Sequence, residues 1–236
     1  KVFGNPELLI KDEEKKIHII FKSPDDKIVF FDSNINNWDI HTKAYDQLTP
    51  KKYNSRIDEN LLTSSLTIKN SKLKDLNIFF ENGVHEDSIN IIKSSGSINS
   101  IIVKNSFQDA IDLDFSDLLI NKIKVDNAGN DCLDISAGSY QIDKINSSQC
   151  RDKAISIGEA SDINIGNLEI DNSAIGVVIK DSSSAHIKKA KVENSKICLA
   201  LYRKKQEFSG SYLEIPEQTC DKNKIYIQKN SMIKFL

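Results

Sequence analysis

Glycine, proline and cysteine are all scarce in this chain of 236 residues, which contains nine, four and four of them. So little glycine and proline excludes a collagen-like or linker-rich chain. The cysteines are too few for a disulfide scaffold, and they lack the C-x-x-C spacing of a zinc module. No apolar run approaches the roughly 18–20 residues of a membrane-spanning helix, so we predict no membrane span. The chain begins at Lys1 without a signal-like apolar stretch, so we expect a mature or shortened chain.

Neither sign of charge dominates, because 32 lysine and arginine residues face 34 aspartate and glutamate residues, a formal charge of −2. A nucleic-acid-binding protein usually has a basic excess on one face, so this balance argues against a nucleic-acid partner. Hydrophobic residues make up 39% of the chain, enough to form a core and to exclude wholesale disorder. The length leaves room for one large domain or two small ones.

Short runs of isoleucine, leucine and valine recur at a spacing of about 22 residues through the middle of the chain. Each run holds two apolar residues separated by one outward residue, as a strand does. The successive pairs are Ile89 and Ile91, Ile111 and Leu113, Leu133 and Ile135, Ile155 and Ile157, Val177 and Ile179, and Leu199 and Leu201. A second apolar column contains one step that is longer by one, which predicts a single inserted residue between Ser136 and Ile165.

Six matches at one spacing predict a solenoid, whose short repeats bury their apolar faces by stacking about 4.8 Å apart. Coils of about 22 residues with several short strands favour a right-handed parallel β-helix. A polar column supports this fold, because stacked amide side chains hydrogen-bond between coils and tolerate the left-handed backbone of tight turns. Its members are Asn105, Asn127, Gln149, Asn172 and Asn194.

The two ends of the chain depart from the repeat. Residues 1–60 keep no register and are predicted to form an N-terminal cap, with strands at His18–Phe21 and Ile28–Phe31. Residues 61–204 are predicted to form the regular coils. Residues 205–236 are predicted to hold a side loop at 205–219 and C-terminal strands, because the register slips by about four residues before Ile225–Ile227 resumes it. In this interpretation all three segments belong to one all-β domain.

Acidic residues gather at outward positions of two neighbouring coils, and lysines follow on the next two. The acids are Asp109, Asp112, Asp114, Asp131 and Asp134, and the lysines are Lys153 and Lys180. Carboxylates stacked about 4.8 Å apart repel, so at least one should have a raised pKa unless a cation lies between them. The pattern is compatible with a catalytic acid and base, with a Ca²⁺ site, or with a solvated ladder of surface charges.

Four segments of these coils follow the order of four sequence signatures, N-T-D-G-I, D-D-C-I-A-I-K-S-G, G-H-G-I-S-I-G and R-I-K. The segments are Gln108–Asp112, Asn130–Ser139, Asp152–Gly158 and Gly176–Lys180. They resemble the signatures of polygalacturonase-type glycoside hydrolases, and the chain thereby resembles the pectin-lyase-like superfamily of right-handed parallel β-helices. The resemblance implies inverting cleavage of a uronic-acid polymer.

By this resemblance Asp109 matches the first catalytic aspartate, Asp131 the second aspartate of the paired motif, and Lys180 the substrate-binding lysine. Three positions depart from the pattern: Asn130 stands for the general-acid aspartate, Lys153 for the histidine and Val178 for the arginine. A lyase or epimerase would instead use Lys153 as the base, with Ca²⁺ neutralising the substrate carboxylate. A non-catalytic β-helix, acting as a structural, adhesive or assembly module, would need none of these residues in working geometry.

The leading hypothesis is a β-helix that binds, and in its catalytic form modifies, an acidic polysaccharide. Catalysis is assigned to Asp109, Asp131 and Lys153, with no metal ligand and no required cofactor. Substrate binding is assigned to Asp112, Asp134, Asn130, Lys180, Tyr202 and Arg203. Because β-helices that act on glycans are usually exported, we expect an extracellular, periplasmic or cell-surface location rather than a cytoplasmic one.

The cysteines leave the redox compartment open. Cys132 and Cys198 share a column three coils apart, roughly 14 Å, which is too far for a disulfide. Cys150 and Cys220 have no assured partner in the repeat. Four free thiols would suit a reducing compartment, contrary to the exported location expected above.

Overall fold

The computed structural model describes residues 1–45, 48 and 57–235. They form a parallel β-solenoid of about ten turns, which confirms the predicted all-β solenoid with coils of about 22 residues. The strands are β1 (Val2–Phe3), β2 (Glu7–Lys11), β3 (Lys16–Phe21), β4 (Lys27–Phe31), β5 (Asn34–Asn36), β6 (Asp39–Ala44), β7 (Ser64–Lys69), β8 (Lys72–Gly83), β9 (Asp87–Ile92), β10 (Ser95–Ser106), β11 (Asp109–Ala128), β12 (Leu133–Gly158), β13 (Asp162–Lys180), β14 (Ser184–Tyr202), β15 (Tyr212–Glu214), β16 (Glu217–Gln218), β17 (Ile225–Ile227) and β18 (Met232–Lys234). Within the described residues, the helical content is one short 3-10 turn at Lys222–Lys224, and no helix is long and apolar enough to span a membrane.

The long strands β11 to β14 stack in parallel along the predicted columns. Ile111 pairs with Leu133, one repeat period further along the chain. The predicted insertion is confirmed, because Ser139 pairs with Asp162, which lies one residue beyond the period. The extra residue is accommodated in the turn at residues 159–160, where the backbone is left-handed, with φ values of 59° and 60°.

Amide side chains line one corner of successive coils. The residues with left-handed backbone at this corner are Asn82, Asn105, Asn127, Gln149, Asn172 and Asn194. Asn127 Nδ2 donates a hydrogen bond to Asn105 Oδ1, and Asn105 Nδ2 donates to Asn82 Oδ1, both at 3.1 Å. The predicted left-handed turns are therefore confirmed along the whole column, and the hydrogen-bonded amide ladder is confirmed from Asn82 to Asn127. Asn194 Nδ2 donates to Asp171 Oδ1 instead.

Aliphatic side chains fill the interior of the solenoid from coil to coil. Ile111, Leu133, Ile155 and Leu199 are all completely buried in one column. Burying each such side chain contributes about 1.5–3 kcal/mol, so stacking supplies the stability that no single coil has alone.

Regular stacking begins earlier in the chain than the repeat predicts. β3 pairs in parallel with β6, and β6 with β8, so that Ile17, Ile40 and Ile78 form one core column. The column is hard to detect in the sequence because a long connection separates β6 from β7. β1 and β2 run antiparallel to β4 and β3 instead, and lie at the N-terminal end of the solenoid.

The predicted C-terminal slip of the register is confirmed, because Leu199 pairs with Ile225, which lies four residues beyond the period. The segment 205–219 is not entirely a loop, however. It contains β15 and β16, which both stack on β14. The additional residues therefore precede Tyr212, and the solenoid continues beyond them.

All four cysteines are paired, which answers the question that the sequence leaves open and gives Cys150 and Cys220 partners. Disulfides join Cys132 to Cys150 and Cys198 to Cys220, with Cα–Cα distances of 5.5 and 5.7 Å. In both pairs the second cysteine lies four residues before the position that stacks on the first. Looking for partners within one column misses this arrangement, because the two cysteines flank a corner of the coil rather than stacking.

Candidate functional site

The predicted site residues lie mainly on one outer side of the solenoid, which we call face A. Face A is the outer surface of the strand segments whose inward residues include Ile111 and Leu113. Its two outward columns are Asn90, Asp112, Asp134, Ser156 and Val178, and Ile92, Asp114, Ser136, Gly158 and Lys180. A third column, Asp87, Asp109, Asp131 and Lys153, lies at the start of the same segments. Neighbours within a column are about 4.8 Å apart because the coils stack in register.

Asp109 and Asp131 are buried beneath the edge of face A, at 2% and 4% exposure. Asp109 Oδ1 accepts hydrogen bonds from Asn130 Nδ2 at 2.7 Å and from the backbone N–H of Asp131 at 2.8 Å. Asp131 Oδ1 in turn accepts a hydrogen bond from the backbone N–H of Lys153 at 3.0 Å. Each carboxyl thus binds the backbone of the next coil, which links three coils through side chains.

Lys153 is held between two carboxylates. Its Nζ lies 3.2 Å from Asp131 Oδ1 and 3.3 Å from Asp131 Oδ2, and it also donates a hydrogen bond to Asp152. Burial lowers the pKa of Lys153, but the hydrogen bond to Asp152 and the charge of Asp131 outweigh it and raise the pKa above its usual value. A lysine in this environment stays protonated at neutral pH and is a poor general base.

The stacked carboxyls have raised pKa values, for which burial is the larger cause and the repulsion predicted from their spacing the smaller one. Burial, followed by the charges of Asp131 and Asp87, raises the pKa of Asp109 from 3.8 to about 7. Burial also raises the pKa of Asp131, although the charge of Lys153 opposes this. A carboxyl with a pKa near 7 can hold or release a proton at physiological pH.

Asp112 lies in the outward column among several carboxyls. Burial raises its pKa, and the charges of Asp87, Asp114 and Asp134 raise it further. Asp112 pairs in register with Asp134, and both side chains are only partly buried. Asp114 is partly buried as well, so these three carboxyls are more accessible than the buried Asp109 and Asp131.

Lys180 lies two coils beyond Asp134 on face A. Its Nζ donates a hydrogen bond to Ser156 Oγ at 2.5 Å and lies 3.6 Å from Asp134 Oδ1. Gly158 leaves room for this side chain, because a Cβ at that position would come within 2.6 Å of Lys180 Cε. The lysine is therefore buried, at 6% exposure, and its amine is directed towards the acidic cluster.

Tyr202 and Arg203 occupy different surroundings. Burial raises the pKa of Tyr202, and the charges of Lys153 and Asp152 act on it as well, so Tyr202 belongs to the lysine side of face A. Arg203 is exposed and lines a separate cleft of about 470 Å³ with Glu207 and Gln228. The structure thus groups the predicted residues together, with Arg203 at the margin.

Two acidic residues of the site were not among the predicted site residues. Asp87 is completely buried and raises the pKa of both Asp109 and Asp112. The repeat contains its signal, because Asp87 precedes Asp109 by one period in the same column. Asp152, which binds Lys153, follows Asn130 by one period and stacks on it, but the two preceding residues of that column are amides, so they give no sign of a carboxylate there.

Acidic residues are close together on face A without forming a preassembled metal centre. In the part of the chain that the structure describes, no group of three or more His, Cys, Asp or Glu side chains is arranged to hold a metal ion. The carboxyls can transfer protons, and Lys153 and Lys180 can pair with negative charges.

The fold and the geometry of face A are the basis on which a function can be proposed, because comparison with known proteins finds no match. No family model, no curated protein and no solved structure matches this chain.

Proposed function

We propose that the protein binds an acidic polysaccharide along face A and cleaves or otherwise modifies it at the acidic cluster. The supporting observation is the order of charges along the solenoid. Carboxyls with raised pKa values on two coils, Asp109 and Asp112 among them, are followed by Lys153 and Lys180 on the next two. The lysines suit the carboxylates of a polyuronate, and the protonatable carboxyls suit the glycosidic oxygen beside them.

Cleavage of a glycosidic bond needs one carboxyl that donates a proton and one that is ionised. Asp112 fits the donor, because its surroundings favour the protonated form, and Asp134 is its accessible neighbour. Asp109 and Asp131 lie behind them and act as positioning residues in this scheme, since they set the local charge and hold the coils in register. The raised pKa of Lys153 favours this acid–base scheme over one with a lysine base.

The resemblance to polygalacturonase-type hydrolases and the pectin-lyase-like superfamily is part of this proposal. The matched residues Asp109, Asp131 and Lys180 all lie on or directly beneath face A. Asn130 donates a hydrogen bond to Asp109 rather than offering a carboxyl, which supports moving the proton donor to Asp112.

An extracellular, periplasmic or cell-surface location is proposed with this function. The two disulfides support it, because disulfides persist in oxidising compartments. Soluble polysaccharides outside the cytoplasm would be accessible to such a protein.

The test is incubation with a panel of polyuronates and other glycans. Reducing ends report hydrolysis, and ultraviolet absorbance of a 4,5-unsaturated product reports elimination. Parallel reactions with Ca²⁺ or with a chelator test whether a cation assists substrate binding. Hydrolysis is expected to produce reducing ends without the unsaturated product.

Two variants and two matched controls assign the roles. Lys180→Met should weaken binding of an acidic polymer, and Asp112→Asn should abolish cleavage while retaining binding, because it removes a proton donor and not a cation. Asp143→Asn and Lys122→Met change exposed residues on another side of the solenoid and should have no effect. The proposal fails if no glycan is bound or modified, or if the controls behave like the face A variants.

A non-catalytic structural module is the second candidate, and one observation favours it. The carboxyls of Asp109 and Asp131 bind backbone N–H groups of the next coil, which is a sufficient structural reason for their presence. In that case Asp131→Asn should change the unfolding midpoint without any effect on glycan binding. The first proposal instead requires Asp112→Asn to lose turnover in a protein that is at least as stable as the wild type, because the substitution removes a carboxyl with a raised pKa.

A further inference from the structure

The strand β2 exposes an unusual run of aliphatic side chains at the N-terminal end of the solenoid. Leu8, Leu9 and Ile10 are 45%, 55% and 55% exposed. Among the residues that the structure describes, β2 pairs with β3 on one edge and has no partner strand on the other. An edge strand with a free row of backbone groups and apolar side chains is a template for pairing with another chain.

The two faces of β2 continue the two faces of β3. Leu8 lies opposite Ile19, and Ile10 lies opposite Ile17. Ile17 and Ile19 are buried at 6% and 1%, so Leu8 and Ile10 extend the core column to a point where nothing in the described structure covers it. Among the described residues, the hydrophobic core is thus left uncovered at this end.

The sequence of β2, Glu7-Leu8-Leu9-Ile10-Lys11, is complementary to itself in the antiparallel direction. If two copies pair about Leu9, the opposed residues are Glu7 with Lys11, Leu8 with Ile10, and Leu9 with Leu9. Opposite charges then meet at both ends of the paired strands, and apolar residues meet between them.

The charges at the two ends of β2 are held only by exposed ion pairs within one chain. Lys11 lies directly opposite Lys16 in the β2–β3 pair, and Glu14 pairs with both lysines, at 3.4 Å and 3.2 Å. Glu7 pairs with Lys22 at 3.5 Å. Exposed ion pairs contribute little to stability, so Glu7 and Lys11 are available to the charges of a second copy.

We propose that β2 is a dimerisation strand, through which two copies of this chain pair antiparallel and continue one sheet across a two-fold axis. Such an interface is isologous, so each copy uses the same strand and the assembly closes at two subunits. The exposed Val2 of β1 lies at the same end and adds apolar surface to the contact. The opposite end of the solenoid, with exposed Tyr226 and Met232, would remain free.

The experiment measures the mass of the whole chain by analytical ultracentrifugation and light scattering across a wide concentration range. The wild-type protein should change from monomer to dimer, with no larger species. Glu7→Lys and Lys11→Glu should each raise the dimer dissociation constant by about tenfold, since symmetry turns two attractive pairs into two repulsive ones. The double variant Glu7→Lys/Lys11→Glu restores opposite charges and should restore dimerisation.

Asp143→Lys is the matched control, because it reverses an exposed charge on a distant coil and should leave the dimer unchanged. Three results would overturn the proposal. They are a wild-type protein that stays monomeric at every concentration, growth into open filaments of head-to-tail contacts, and single charge reversals that leave the dissociation constant unchanged or are not corrected by the double variant.

Discussion

Replacing Asp109 by asparagine is the sharpest test of how the acidic column is built. The asparagine carbonyl oxygen can still accept the hydrogen bonds that Asp109 Oδ1 accepts from Asn130 Nδ2 and from the backbone N–H of Asp131. The substitution therefore keeps the links between coils and removes one titrating group. Its effect on stability should depend on pH and on little else.

The sign and size follow from the pKa of about 7 in the folded protein, compared with 3.8 for an ordinary aspartate. Because the folded pKa is raised, the folded state holds the proton more tightly, so the contribution of Asp109 is intact below about pH 4 and is lost as the pH rises through 7. The difference between the two pKa values corresponds to about 4 kcal/mol, an upper limit because partial relaxation reduces it. Asp109→Asn should match the wild type near pH 4 and be more stable at pH 8 by up to this amount.

Urea unfolding followed by circular dichroism at several pH values measures this difference directly. Asp143→Asn, at an exposed position, controls for the general effect of removing a carboxylate and should show no comparable pH dependence. A difference between wild type and Asp109→Asn that stays constant with pH would refute the reasoning. So would a variant that is less stable than the wild type at pH 8, because the ionised carboxylate would then be stabilising.

Three further predictions concern the scaffold. The double variant Cys132→Ser/Cys150→Ser removes a disulfide with a sequence separation of 18 and should lower the free energy of unfolding by about 3 kcal/mol. Urea unfolding measures this loss, and the wild type before and after reduction of its disulfides is the comparison. Asn127→Ala should lower the free energy of unfolding by about 2–3 kcal/mol in thermal or urea unfolding, because alanine loses the hydrogen bond to Asn105 and is strained at the φ of 67°. Asn127→Gly should recover the part of this loss that comes from the backbone, because glycine adopts a positive φ without strain. Burial lowers the pKa of His85 from 6.5 to about 4. As the pH falls through that range, the free energy of unfolding of the wild type should therefore fall by up to about 3 kcal/mol relative to that of His85→Gln. The same pH dependence in both proteins would contradict the assignment.

The repeat and its consequences could be predicted from the sequence because a parallel solenoid converts spacing into position. The repeat period alone places Asp109 beside Asp131, and Ile111 beside Leu133, without further information. The same period predicts that stacked carboxyls raise one another's pKa values, and this repulsion contributes at Asp109 and Asp112, although burial, which the period does not predict, is the larger cause. Which residues stack on one another within a column can therefore be predicted from a single sequence.

Properties that depend on the corners of the coil are not accessible in this way. Whether Asp131 points outward to solvent or inward to the backbone of Lys153 depends on local backbone angles, which the period does not specify. The disulfide between Cys132 and Cys150 crosses a corner as well, so a search along columns overlooks it. The parallel stacking of β3 on β6 could not be predicted for a different reason, because a long connection before β7 interrupts the regular spacing of the repeat.

Charge along face A changes from acidic to basic along the solenoid, and the lysines compensate only part of the acidic cluster, since Asp112 keeps Asp87, Asp114 and Asp134 as neighbours. Asp109 binds the backbone N–H of Asp131, Asp131 binds Lys153, and Lys180 approaches Asp134 from two coils away. The compensation runs in one direction along the axis, which gives the face an acidic end and a basic end. An acidic polymer lying along this axis would be repelled at the acidic end and attracted at Lys153 and Lys180. Only one position of the polymer along the axis would bring its carboxylates to the lysines and a neutral glycosidic linkage to Asp112. The order of acidic and basic residues along face A, rather than any single residue, is therefore the feature that a polysaccharide-binding function would use.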